Sequence, residues 1–126
     1  MIRIFIMLAA MAMSSTLWAQ KRINKDLNAE EFSKGITAPG IQLLDVRTAQ
    51  EFGQGHIKNA LNYDILGDDF ERNIVNLKKD KPVYVYCHAG GRSAEAAGIL
   101  GKKGFKEIYN LTGGITAWKK AAKPVE

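Results

Sequence analysis

Residues 87–93 read CHAGGRS and contain the only cysteine of the chain. Sulfur acts as a nucleophile in its thiolate form, so the surroundings of Cys87 decide whether it has a chemical role. Gly90 and Gly91 permit backbone dihedrals that residues with a Cβ avoid, which lets the loop turn back on itself. Successive amides in such a turn point inward and form a nest for an anion. A helix opening at about Arg92 or Ser93 adds the positive end of its dipole at the same place. These effects favour the thiolate and lower its pKa below the free value of about 8.5. Arg92 brings a fixed positive charge that either assists the thiolate or binds an anionic substrate. The residues describe an activated sulfur nucleophile that receives anions. The competing description is a small core cysteine that happens to end a strand, a common use of the residue. A glycine pair and an arginine directly after a buried strand have no packing use, which favours the site. That reading requires a sulfur not sealed beneath side chains, with amides aimed at it.

The elements that must position this loop follow from the patterning. KPVYVYC (81–87) starts with proline and continues apolar without alternation, which predicts a strand covered on both faces in the middle of a parallel sheet. SAEAAGILGKKG (93–104) predicts a helix that packs through Ala94, Ala97 and Ile99 and ends at Lys102, Lys103 and Gly104. Upstream, NAEEFSKGI (28–36) reads as a short helix with Asn28 as cap and Glu31 three residues on. Pro39-Gly40 reads as a turn, and IQLLDV (41–46) has strand length. Thr48 and Glu51 repeat the capping-box pattern and open a helix through Phe52, stopped at Gly53 or Gly55. A brief strand is expected at 60–62. In DDFERNIVNLKK (68–79), Phe70, Ile74 and Leu77 fall at helical spacing, with acids first and lysines last. FKEIYNL (105–111) is a further strand, and TGGITAWKKAA (112–122) a turn and final helix. Strand–helix alternation predicts a three-layer α/β domain, a central parallel sheet flanked by helices, with right-handed crossovers. Ligands of such sheets bind beyond the carboxyl ends of the strands, where Cys87 sits.

Residues 1–19 form a separate segment: Arg3, an apolar stretch from Ile4 to Met13, then Ser14, Ser15, Thr16 and a small residue at Ala19. This is the layout of a secretory signal peptide, and the apolar core is well short of the roughly 20 residues that span a bilayer. Cleavage after Ala19 would leave residues 20–126 as one domain, located in the periplasm, with no stable membrane association. The whole chain carries a net charge of +5, of which Arg3 is one. The lysines are scattered and not interleaved with aromatics, which argues against a nucleic-acid partner. A mildly positive surface favours small anionic ligands. An exported domain with a single cysteine has no internal disulfide, so its thiol is inert, paired with another chain, or reactive.

Other polar residues have blander readings. Asp45 and Arg47, at a strand end, are expected to tie that end to the following turn, with Glu51 as a partner for Arg47. His56 is expected to be a hydrogen-bonded structural residue, since a thiolate needs no base. His88 either contacts substrate or faces water. Gly113, Gly114 and Trp118 are expected to lock the last helix against the sheet. Two histidines and one cysteine in separate segments lack metal-ligand spacing.

LLDVRTAQEFGQGHIKNALN (43–62), YVYCHAGGRSAEAA (84–97) and LTGGITAW (111–118), in this order and spacing, resemble the rhodanese family of sulfurtransferases. The small single-domain periplasmic members of the phage shock protein E type are the nearest in kind. Asn59 departs from the pattern, standing where the family commonly has glycine. The resemblance implies thiosulfate sulfurtransferase activity with Cys87 as catalytic nucleophile. His88, Ala89, Gly90, Gly91 and Arg92 would form the substrate-binding loop. Neither metal nor organic cofactor is implied. The partners would be a small anionic sulfur donor and a thiol acceptor. Four residues separate Cys87 from Arg92, whereas related phosphatases and arsenate reductases carry five, so a wider oxyanion cradle is disfavoured. A persulfide carrier or thiol sensor with little turnover is the other alternative.

Overall fold

The computed structural model describes residues 21–126. The expected signal peptide lies outside the described residues. The elements run β1 (Ile23–Leu27), α1 (Ala29–Gly35), β2 (Gln42–Asp45), α2 (Ala49–Gly53) and β3 (Leu61–Asn62). They continue with α3 (Phe70–Ile74), β4 (Val83–Tyr86), α4 (Gly91–Lys102), β5 (Glu107–Leu111) and α5 (Gly114–Lys120). The five strands form one sheet in the order β1-β5-β4-β2-β3, and every pairing is parallel.

β4 is central, with Val83 opposite Gln42 on one side and Ile108 on the other. Its unbroken apolar run is explained by burial of all four residues. Val83, Val85 and Cys87 pack with Phe70, Ile74, Ala96 and Leu100 on the α3/α4 face. Tyr84 and Tyr86 pack with Phe32, Ile115 and Trp118 on the α1/α5 face. The sheet is therefore the middle of three layers, as the alternation predicts. Trp118 is a core residue, with its indole N–H donating to the Pro124 carbonyl.

The helix starts follow their capping residues. Asn28 and Thr48 each accept from the backbone N–H three residues on, and Glu31 and Glu51 reach back to the cap amides, completing both capping boxes.

Four boundaries differ from the sequence reading. β1 carries no apolar signature: INKDL is polar because an edge strand paired only with β5 leaves its middle residues exposed. α3 is confined to Phe70–Ile74, since Asp69 provides no side-chain cap, although Leu77 beyond it is still buried. α4 opens at Gly91, two residues earlier than expected. It buries Ser93, Ala96, Ala97 and Leu100, while Ala94 faces out and Ile99 is only half-buried. β3 begins at Leu61, one residue late. Asn59, the departure from family pattern, lies at φ 70°. Glycine is the natural residue for that conformation, and asparagine is among the few others that enter it readily.

Candidate active site

The loop 87–90 leaves the carboxyl end of β4 and closes by opening α4. Gly90 is at φ 110°, a conformation glycine supplies without strain. This turn aims the Gly90 N–H at the Cys87 sulfur, 3.0 Å away. Ser93, one turn into α4 and fully buried, places its hydroxyl 3.2 Å from the same sulfur. The hydroxyl is also 3.2 Å from the Gly90 carbonyl. It has one proton for two acceptors, so an ionised sulfur, the stronger acceptor, draws the proton to itself.

Cys87 is 1% exposed, far more enclosed than the sequence reading expected. It joins the core cluster of the α3/α4 face, packed with Phe70, Ile74, Val85 and Ala96, so the expectation of a sulfur not sealed beneath side chains is not met; the expected amide donor is present. Burial is the largest influence on the thiol and pushes its pKa up. The Ser93 hydroxyl and the amides of Ser93, Gly90 and Ala89 pull the other way and together outweigh it, leaving the thiol below its ordinary range. An inert core cysteine would show only the upward effect. The donors, not exposure, separate this sulfur from packing material.

The loop is docked from the other side by α5. The Ile115 N–H donates to the Cys87 carbonyl at 2.8 Å, and the Thr116 N–H and hydroxyl donate to the His88 carbonyl at 3.2 and 3.0 Å. This approach depends on Gly114, at φ 59°: a Cβ there would lie 2.5 Å from both the Cys87 and His88 carbonyl oxygens. The expected locking role of this glycine is thus directed at the loop itself.

Arg92 does not reach toward the sulfur as a free charge. Its two terminal nitrogens grip both oxygens of Glu51 at 2.7 and 2.9 Å. The Arg92 guanidinium, opposed by partial burial and aided by the Thr48 amide, holds the Glu51 carboxyl down at about 2. The expected Arg47–Glu51 pair is therefore corrected. Arg47 turns inward to the fully buried Asp45, at 2.7 to 3.1 Å, and donates to the Gly55 carbonyl at 2.7 Å. That network ties the end of β2 to the turn before His56, the structural role expected of it. His56 stacks on Phe52 and bonds its carbonyl, also as expected.

His88, Ala89 and Gly91 are exposed around the loop, and Gly90 and Arg92 are half-exposed. The structure thus brings all the expected loop residues to one rim, though only Gly90 is hydrogen-bonded to the sulfur by geometry. Ser93 and Glu51 were missed. Ser93 looked like an ordinary helix residue, and its only signal was its place one turn after the glycine pair. Glu51 was fully accounted for as a capping residue. Among the described residues, no three His, Cys, Asp or Glu side chains gather as a metal site.

Fold and loop together define a three-layer α/β domain built around one activated cysteine. Residues 28–121 match the Rhodanese-like domain family, and the chain belongs to it. It is 44% identical over 99 residues to the uncharacterized protein YqhL of Bacillus subtilis (strain 168), covering 79% of this chain and 75% of YqhL. It is 32% identical over 97 residues to thiosulfate sulfurtransferase GlpE of Shewanella oneidensis, covering 77% of this chain and 94% of GlpE. A rhodanese-related protein of Thermoplasma volcanium superposes with a TM-score of 0.73 at 31% identity, over 81% of this chain and 97% of the other.

Proposed function

We propose that this protein is a thiosulfate sulfurtransferase that carries sulfur as a Cys87 persulfide. The observation that carries the reading is the pair of donors, Gly90 N–H and Ser93 O–H, on a sulfur whose thiolate they favour against burial. The thiolate attacks the outer sulfur of thiosulfate. The sulfur–sulfur bond of the donor breaks, its electron pair leaves with sulfite, and Cys87 retains the outer sulfur as a persulfide anion. Cyanide or a thiolate then attacks that outer sulfur, and the bond pair returns to Cys87 as thiolate. Loop amides at 89, 90 and 93 serve both states, because each presents an anion to the same cradle. Membership of a family with relatives named sulfurtransferases supports this chemistry.

The same reading takes His88, Ala89, Gly90, Gly91 and Arg92 as the substrate-contacting rim, with Arg92 acting from its pair with Glu51. It places the processed chain in the periplasm, on the pattern of residues 1–19. Its partners there are small anionic donors and thiol acceptors.

Thiosulfate treatment followed by mass spectrometry tests the proposal: Cys87 gains about 32 Da and loses it on adding cyanide. An unmodified Cys87, or a Cys87→Ser variant that still turns over thiosulfate, refutes it. The burial of Cys87 favours one second reading, a persulfide carrier that loads once and hands its sulfur to a partner. Continuous thiosulfate:cyanide turnover distinguishes the enzyme from the carrier.

A further inference from the structure

Two consecutive peptide groups of the Cys87 loop are held by α5. The Ile115 N–H donates to the Cys87 carbonyl at 2.8 Å, and the Thr116 N–H to the His88 carbonyl at 3.2 Å. The Thr116 hydroxyl donates to that same His88 carbonyl at 3.0 Å. We propose that Thr116 is a positioning residue for the cysteine chemistry: its hydroxyl fixes the His88–Ala89 peptide plane and thereby turns the Ala89 N–H toward the Cys87 sulfur. The inference rests on the sulfur-transfer reading for the reaction served, and adds to it a residue outside the loop.

A trans peptide carries its carbonyl and its N–H on opposite edges. α5 lies on the face of the sheet that holds Phe32, Ile115 and Trp118. Cys87 packs on the other face, with Ile74, Ala96 and Leu100. A His88 carbonyl drawn to α5 therefore sends the Ala89 N–H away from α5, to the side on which the sulfur lies. The Gly90 N–H, 3.0 Å from the sulfur, belongs to the same cradle. Burial pushes the thiol up. The Ala89 amide is one of the donors, with the Ser93 hydroxyl and the Ser93 and Gly90 amides, that bring it below its ordinary range.

The two N–H bonds come from the first turn of α5, whose amides lack partners inside the helix. They need only the close approach that Gly114 permits, and any residue other than proline would supply them. The hydroxyl is different. Among the described residues it is the one side-chain group from outside β4 and α4 that bonds the backbone of residues 87–92. A carbonyl oxygen has two lone pairs, so both Thr116 donors are accommodated, and two bonds resist rotation of the peptide more than one does. Thr116 thus acts on the sulfur through a peptide group, without touching it. A residue that merely pinned α5 to the loop would change stability and leave the titration of the sulfur where it is.

The test measures iodoacetamide labelling of Cys87 against pH in the full-length protein, for wild type, Thr116→Val and Thr116→Ser. Valine keeps the shape and the N–H but loses the hydroxyl, whereas serine keeps both donors. Thr116→Val is expected to move the midpoint of the profile upward by about 0.3–0.5 pH unit, a loss of rate of about two- to threefold below the thiol's pKa. Thr116→Ser should hold the midpoint within about 0.1 pH unit of wild type. The midpoint is read independently of the plateau, so a loop that only opens to the reagent does not mimic the effect. A midpoint unmoved in Thr116→Val, or moved as far in Thr116→Ser, overturns the positioning role. Thr116→Ala repeats the measurement with a smaller side chain if the valine variant fails to fold. Wild-type protein that gains no adduct of about 32 Da from thiosulfate overturns sulfur transfer itself, and with it the reaction assigned to Thr116; that result is seen before any variant is labelled.

Discussion

At the scale of residues, the chemistry turns on one proton shared among Ser93, the Gly90 carbonyl and the Cys87 sulfur. The thiolate fraction, and with it the rate of alkylation by a neutral reagent, falls as pH drops through the thiol's pKa. Ser93→Ala removes a donor to the thiolate, so its pKa rises and the fall shifts to higher pH. Iodoacetamide labelling of Cys87 against pH reads this directly. Glu51 supplies the contrast. Its carboxyl, held at about 2 by Arg92, stays ionised far below the range in which the thiol titrates. Glu51→Gln should therefore leave the acid limb of the labelling profile nearly in place while weakening the hold on Arg92. A profile that moves with Glu51→Gln but not with Ser93→Ala would reverse the roles assigned to the two residues.

At the scale of elements, the loop is shaped by what docks on it. α5 donates three hydrogen bonds to the Cys87 and His88 carbonyls, and Gly114 lets it come that close. Gly114→Ala puts a methyl group against two carbonyl oxygens at a positive φ, so it should destabilise the fold by roughly 2 kcal/mol or more. Thermal denaturation measures that loss, and labelling of Cys87 should change as the loop is displaced. The turn before β3 offers the opposite case. Asn59 holds a positive φ, and among the described residues its side chain makes no hydrogen bond, so Asn59→Gly should be neutral or stabilising by up to about 1 kcal/mol. A clear loss of denaturation midpoint would show that the asparagine side chain has a role the backbone does not reveal.

At the scale of the whole molecule, the chain is basic and the proposed donor, thiosulfate, is a small dianion. A net positive charge, with or without Arg3, should raise the encounter rate with thiosulfate, and salt should screen that advantage. Stopped-flow loading of Cys87 is expected to slow severalfold between about 10 mM and 0.5 M salt, while labelling by neutral iodoacetamide stays nearly constant. Equal salt dependence for both reagents would point to a change in the loop rather than to steering. The three layers also explain why the sulfur is enclosed. The central strand that delivers it is covered on both faces, so its carboxyl end emerges into packed surroundings.

Much of this protein was legible in its residues. The apolar run 83–86, the two capping boxes, the glycine pair at 90–91 and the lone cysteine each express a local requirement, and local requirements leave local patterns. So the central strand, the helix starts and the loop could be placed before any coordinates. Partnership across the chain leaves no such mark. Arg92 with Glu51, Arg47 with Asp45 instead of Glu51, Ser93 on the sulfur, and α5 on the loop carbonyls all depend on which elements the sheet order brings together. The polar edge strand β1 was hidden for the same reason, since only its pairing with β5 makes it a strand. The sequence determined that a thiol would sit at the end of a buried strand inside a turn of amides. The tertiary structure decided how deeply it would be enclosed and which hydroxyl would favour its thiolate, because those depend on how the loop, α4 and the layers on either face of the sheet pack together.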